Sequence, residues 1–124
     1  VIGIEENTSS INDAEKNATI NNISNTKFML GRVKNILKFN SFNVDWVIVD
    51  PPRSGMVPKA LKRMIELDAP KITYVSCNPV TLLRDLKIIC EAGYEIQTFQ
   101  PVDMFPNTFH IESIVVLEKI KQTN

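Results

Sequence analysis

The sequence is short of several things. Among 124 residues there are two cysteines, one histidine, four glycines and one tryptophan, and Lys+Arg and Asp+Glu stand at 14 each, so the formal net charge is zero. Two cysteines, Cys77 and Cys90, are too few and too unevenly spaced for a secreted disulfide framework and are expected to be reduced thiols. One histidine and two separated cysteines do not make a zinc set, so no metal site is expected. The glycines Gly3, Gly31, Gly55 and Gly93 form no Gly-x-Gly loop, so the usual cofactor cradle is absent from this stretch of chain. Zero net charge argues against a self-sufficient nucleic-acid grip, because non-specific affinity comes from neutralising phosphates with excess Lys and Arg; any RNA contact must be local, or made by a part outside this sequence. No apolar run approaches the roughly 20 residues that span a bilayer, and no basic stretch precedes a hydrophobic signal core, so the sequence reads as soluble, cytoplasmic and without a membrane partner. It opens Val1-Ile2-Gly3-Ile4-Glu5, without an initiator Met and within a strand-like pattern, as a piece of a longer chain would.

What is present is an ordinary globular composition, 44% hydrophobic, 23% charged and 7% aromatic, enough for one domain with a real core. Short apolar runs alternate with amphipathic stretches, the pattern of repeated βα units and a largely parallel sheet. Strands are predicted at Val1 to Ile4, Lys27 to Leu30, Trp46 to Val49, Ile72 to Val75, Tyr94 to Val102 and Ser113 to Glu118. Helices are predicted from an N-cap among Thr8, Ser9 and Ser10 to about Asn21, from Pro58 through a stripe of Leu61, Met64, Ile65 and Leu67, and from about Val80 to Glu91 with Leu82, Leu83, Leu86, Ile89 and Cys90 inside. Val33, Ile36, Leu37 and Phe39 recur at roughly helical spacing. Asp103 to Phe109 reads as loop.

In open α/β sheets functional groups gather beyond the carboxyl ends of strands. Four such ends carry polar residues here: Glu5, Asp50 with Arg53, Cys77 with Asn78, and the loop holding His110 and Glu112. Glu5 stands where an acidic residue binds ribose hydroxyls of an adenosine-containing cofactor, or is simply a solvated charge beside Glu6. Asp50-Pro51-Pro52-Arg53 puts a carboxylate on a rigid strand tip, presenting a fixed acceptor or a surface turn. Cys77 lies in a Ser-Cys-Asn-Pro turn before a helix, where the positive end of the helix dipole favours the nucleophilic thiolate. Cys90, on the apolar face of the helix, reads as a small hydrophobe. His110 and Glu112 alternate and could project together, but Glu112 follows Cys77 by 35 residues, so any meeting depends on the fold.

Four segments together resemble the RNA uridine-5-methyltransferases, which make 5-methyluridine in tRNA and rRNA. They are Val1-Ile2-Gly3-Ile4-Glu5; Asp50-Pro51-Pro52-Arg53-Ser54-Gly55; Tyr74-Val75-Ser76-Cys77-Asn78-Pro79 with Leu83-Arg84-Asp85-Leu86; and Asp103-Met104-Phe105-Pro106 leading to His110-Ile111-Glu112. They occur in the family's order and span nearly the whole chain. The resemblance implies an α/β, Rossmann-like class I methyltransferase domain using S-adenosylmethionine, with tRNA or rRNA as partner. It implies that residues 1–124 are the C-terminal portion of the catalytic domain. It matches Cys77 to the nucleophile, Glu112 to the general base, Glu5 to the ribose ligand and Asp50 to the acidic residue at the cofactor and base site. The chemistry needs those types: C5 of uracil is a weak nucleophile, a thiolate adding to C6 activates it, and a carboxylate then removes the C5 proton.

Against the family pattern, the central first strand with its glycine-rich loop and the RNA-binding accessory domain fall outside this sequence. Lys34-Asn35 stand where relatives often carry acidic residues. The 124 residues alone are therefore expected to bind S-adenosylmethionine poorly and to be inactive, and the edges of the strands starting at Val1 and Trp46 to be exposed unless those two pair. The rival readings are a cytosine-5 RNA methyltransferase, which also needs a cysteine at C6, and a non-catalytic Rossmann-like interaction domain.

Overall fold

The computed structural model describes residues 1–40 and 42–121. The chain divides into two compact units, Val1–Ser41 and Phe42–Asn124.

In the first unit, strand β1 (Ile2–Glu5), helix α1 (Thr8–Ile20), strand β2 (Lys27–Leu30) and helix α2 (Val33–Phe39) follow in order. β1 and β2 pair in parallel from Ile2↔Lys27 to Glu5↔Leu30, as a helical return between two strands dictates. The N-cap of α1 is Asn7, one residue before the predicted hydroxyls: its Oδ1 accepts from Ser9 N at 2.9 Å and Ser10 N at 3.2 Å, which satisfies two otherwise orphaned donors. Ile11 is buried, with Ala14 and Ala18 half-buried on the same face.

The second unit contains β3 (Trp46–Val49), α3 (Pro58–Glu66), β4 (Lys71–Ser76), α4 (Pro79–Glu91), β5 (Tyr94–Val102) and β6 (Glu112–Lys119). They form a four-stranded sheet in the order β3-β4-β6-β5. β3 runs parallel to β4, but β6 is antiparallel to both β4 and β5. The expected largely parallel arrangement thus holds for β3, β4 and β5, which run in one direction, and β6 is the strand of this unit that is reversed among the described residues. The reason lies in the connections: α3 carries the chain back between β3 and β4, whereas residues 103–111 join β5 to β6 without a helix, and so short a link reverses the strand direction.

The core of this unit comes from the predicted stripes. Leu61 and Met64 of α3, Ile72 and Tyr74 of β4, Leu82, Leu86 and Ile89 of α4, and Val115 and Leu117 of β6 are all buried. Leu83, expected inside, is 71% exposed, and Asp85 takes a buried place on α4 instead. Gly93 ends α4 with φ 94°, a conformation that disfavours any side chain. Among the described residues β1 pairs with β2 alone and β3 with β4 alone. Trp46 and Ile48 of β3 are exposed. No helix among the described residues is long and apolar enough to cross a membrane.

Candidate active site

The antiparallel placement of β6 is what assembles the site. β4 and β6 are paired from Lys71↔Glu118 to Ser76↔Ser113. One step past that last pair, Cys77 leaves β4 and Glu112 enters β6, while on its other side Glu112 pairs with Val102 of β5. Two residues 35 apart in the sequence therefore emerge side by side at one end of the sheet. Both are half-buried, reachable from solvent yet backed by protein. Asp50 follows the last residue of β3, whose Val49 pairs with Tyr74, so its exposed carboxylate stands at this same end.

The turn carrying Cys77 is tightly specified. Ser76 Oγ accepts from Asn78 N at 3.1 Å, and Asn78 Oδ1 caps α4 by accepting from Val80 N at 3.0 Å. Pro79 opens the helix, where its missing N–H costs nothing. Cys77 thus sits one residue before the N-cap, at the positive end of a 13-residue helix. Asn78 has a second task. Its Nδ2 donates to Arg53 O at 3.0 Å, and Thr81 Oγ1 donates to the same carbonyl at 3.1 Å. The segment after Asp50 is thereby tied to the segment after Cys77.

A second fastening lies deeper. Asp85 is fully buried; its Oδ2 accepts from Tyr74 Oη at 2.6 Å and from Met56 N at 2.9 Å, and its Oδ1 accepts from Arg84 Nε at 2.8 Å. The Arg84 guanidinium also donates to Ser54 O at 3.2 Å and Met56 O at 3.1 Å. Burial, reinforced by the adjacent carboxylate, pushes the Tyr74 phenol well above its ordinary range, so it remains a donor. Gly55 is required where this network closes. Its φ is 75°, and a Cβ there would lie 2.5 Å from Arg84 Nη2 and 2.8 Å from Asp85 Oδ2.

The role of Asp85 went unread in the sequence although a signal was present. It lies three residues after Leu82 and four before Ile89, squarely on the buried stripe of α4, and a carboxylate there demands buried donors. Glu5 stands exposed at the tip of β1 in the first unit, with Oε1 accepting from Asn7 N at 2.7 Å. His110 is half-buried in the loop before β6, with the Phe109 ring 4.3 Å away between centroids. Cys90 is half-buried on α4, and desolvation raises its thiol pKa, as suits an inert side chain.

Chemically, the second unit offers a thiol at a helix N-terminus, a neighbouring carboxylate able to take a proton, and an exposed carboxylate on a braced loop. A family model described as tRNA (uracil-5-)-methyltransferase matches residues 1–120. An uncharacterized RNA methyltransferase of Clostridium tetani is 44% identical over 119 residues, covering 96% of this chain and 26% of its own length. Another, from Enterococcus faecalis, is 45% identical over 122 residues, covering 96% of this chain and 27% of its own. The chain thus spans about a quarter of the length of the curated relatives it matches. Among solved structures, the Pyrococcus abyssi tRNA (uracil-54, C5)-methyltransferase in complex with S-adenosyl-L-homocysteine superposes with a TM-score of 0.82. It is 38% identical and covers 94% of this chain and 28% of its own. TrmN from Thermus thermophilus shares the fold at a TM-score of 0.73 and 18% identity, over 97% of this chain and 36% of its own.

Proposed function

From the premise that the chain belongs to the tRNA (uracil-5-)-methyltransferase family, we propose that the protein methylates C5 of uridine in tRNA or rRNA, using S-adenosylmethionine. Residues 1–124 are then the C-terminal portion of its catalytic domain, and two free cysteines suit a reducing, cytoplasmic setting. The observation that carries this reading is the emergence of Cys77 and Glu112 side by side past the Ser76↔Ser113 pair.

Cys77 Sγ, as thiolate, adds to C6 of the uracil, forming a carbon–sulfur bond and moving electron density onto C5. S-adenosylmethionine supplies, when bound, the electrophilic methyl group that C5 accepts. Glu112 then takes the proton from C5, the electron pair re-forms the C5–C6 double bond, and the sulfur leaves as thiolate. The bond made at C6 is the bond finally broken, and Cys77 is regenerated. Reaching C6 requires an unpaired or extruded uridine. The half-exposed position of both groups at a sheet end permits that approach.

The carboxylates fit the cofactor by the chemistry of their acceptors. Glu5 is exposed at a strand tip and oriented by the Asn7 N–H, as an acceptor for ribose hydroxyls would be. Asp50 is exposed on the rigid Pro51-Pro52 loop and serves the cofactor and base side. The test is methyl transfer to RNA by the full-length protein. Cys77→Ala should reduce it by at least about a thousand-fold while the fold survives. A folded Cys77→Ala protein that retains activity would overturn the nucleophile assignment, and a wild-type protein that leaves uridine unmodified would overturn the reaction.

A further inference from the structure

The loop between β5 and β6 keeps its apolar side chains outside. Met104, Phe105 and Phe109 are 62%, 51% and 85% exposed. Leaving such side chains in water forfeits the free energy that burial of their apolar surface would gain. A loop that merely connected strands would be expected to tuck them in or to use polar residues.

Nor is the segment shapeless. Asp103 Oδ1 accepts from Phe105 N at 3.2 Å, Phe105 O accepts from Thr108 N at 3.1 Å and from Thr108 Oγ1 at 2.8 Å, and Thr108 Oγ1 accepts from His110 N at 3.2 Å. Asn107 turns the chain with φ 67°. On this scaffold the Phe109 ring lies tilted over His110 at 4.3 Å, and Phe105 meets the same imidazole edge-on at 6.2 Å and 75°. The hydrogen bonds fix the backbone of the loop, and the Phe109 ring, in contact with His110, stays largely open to solvent.

The position and chemistry of the loop identify what it meets. It leads directly into Glu112, at the sheet end that also carries Cys77 and Asp50. Asp103 is the only formal charge between residues 103 and 111, so the surface does not suit a phosphate. It suits a flat, neutral, aromatic group. When a uridine leaves its stack to reach Cys77, the base beside it loses a stacking partner, and an exposed ring next to the site can replace it. We propose that Phe109, supported by Phe105 and His110, stacks on the unpaired nucleobase flanking the target uridine. This rests on the uridine methylation proposed above. It also accounts for how a chain with no net charge contributes to holding RNA.

The experiment uses the full-length protein and a stem-loop RNA carrying the target uridine, with intact neighbours or with an abasic site on its 5′ or 3′ side. Phe109→Ala should raise the KM for RNA about ten-fold, in keeping with the loss of one stacked base. The KM for S-adenosylmethionine and kcat should stay within two-fold (roughly), and Phe109→Trp should restore RNA binding. One of the two abasic substrates should raise the wild-type KM by a similar factor and cost Phe109→Ala nothing more. An unchanged KM for RNA in Phe109→Ala, or abasic and alanine effects that simply multiply, would overturn the stacking assignment while leaving the reaction intact. Dimerisation of the wild type that Phe109→Ala abolishes would overturn it in favour of a second copy on this surface. A wild-type protein that methylates none of these RNAs would instead strike at the reaction itself.

Discussion

The segment from Asp50 to Met56 and the loop from Asp103 to Ile111 stand at the same end of one sheet, yet the first is fastened to the core and the second, among the described residues, is hydrogen-bonded within itself. The first is held by Asn78 and Thr81 on the Arg53 carbonyl and by buried Asp85 on the Met56 amide. The second has local turns and open aromatic faces. The difference separates two demands. Under the proposed reaction, a carboxylate held fixed relative to the Cys77 thiol benefits from bonds to the helix that follows that thiol, whereas a surface that receives a flexible partner leaves its faces uncovered.

The largest expected effect comes from cutting the deep fastening. Asp85→Ala removes the acceptor for Tyr74, Met56 N and Arg84 together, and urea titration should register a loss of about 3–5 kcal/mol. A loss below roughly 1 kcal/mol would mean that the network does not hold the segment. Tyr74→Phe removes one of these bonds and should cost about 2 kcal/mol near neutral pH.

That variant also predicts a pH dependence. The folded-state pKa of Tyr74 is raised above the ordinary value of 10.0, so its contribution is fully present below that pH and is lost as pH rises through the folded value. Stability of the wild type should therefore fall as the solution is taken above pH 10, and less steeply in Tyr74→Phe. Tyr94, raised by burial and donating to Ala69 O at 2.8 Å, adds to the same trend and leaves a residual slope. Identical slopes in the two proteins would remove Tyr74 from the explanation. The smallest effect on stability belongs to the other loop: Phe109→Ala should shift the unfolding free energy by less than about 0.5 kcal/mol, since an exposed ring has little to lose.

Much of this arrangement could be read before the fold was known, and its limits have physical causes. Local chemistry set the strand tips. The Pro51-Pro52 pair ends β3, and Asn78 with Pro79 starts α4, so Asp50 and Cys77 could be placed at loop positions from neighbours alone. Glu112 could not, because its proximity to Cys77 depends on β6 entering between β4 and β5 in the antiparallel sense, a non-local choice that no short pattern encodes. Asp85 was hidden for another reason. An aspartate on an amphipathic helix is usually solvated, whereas here Asp85 is buried on the stripe and Leu83 is the residue left exposed. Asn7 displaced the predicted cap because an amide oxygen one residue earlier reaches both Ser9 N and Ser10 N.

The claim on which the account turns is that Cys77 and Glu112 act in sequence on one uracil, and trapping measures it directly. In the full-length protein, Glu112→Gln leaves the thiol to add to C6 but removes the acceptor for the C5 proton. A methylated covalent protein–RNA complex should therefore accumulate and survive denaturing electrophoresis, while Cys77→Ala and the double variant form none. A folded Glu112→Gln protein that turns over like the wild type, or that loses activity without forming any adduct, would contradict the assignment.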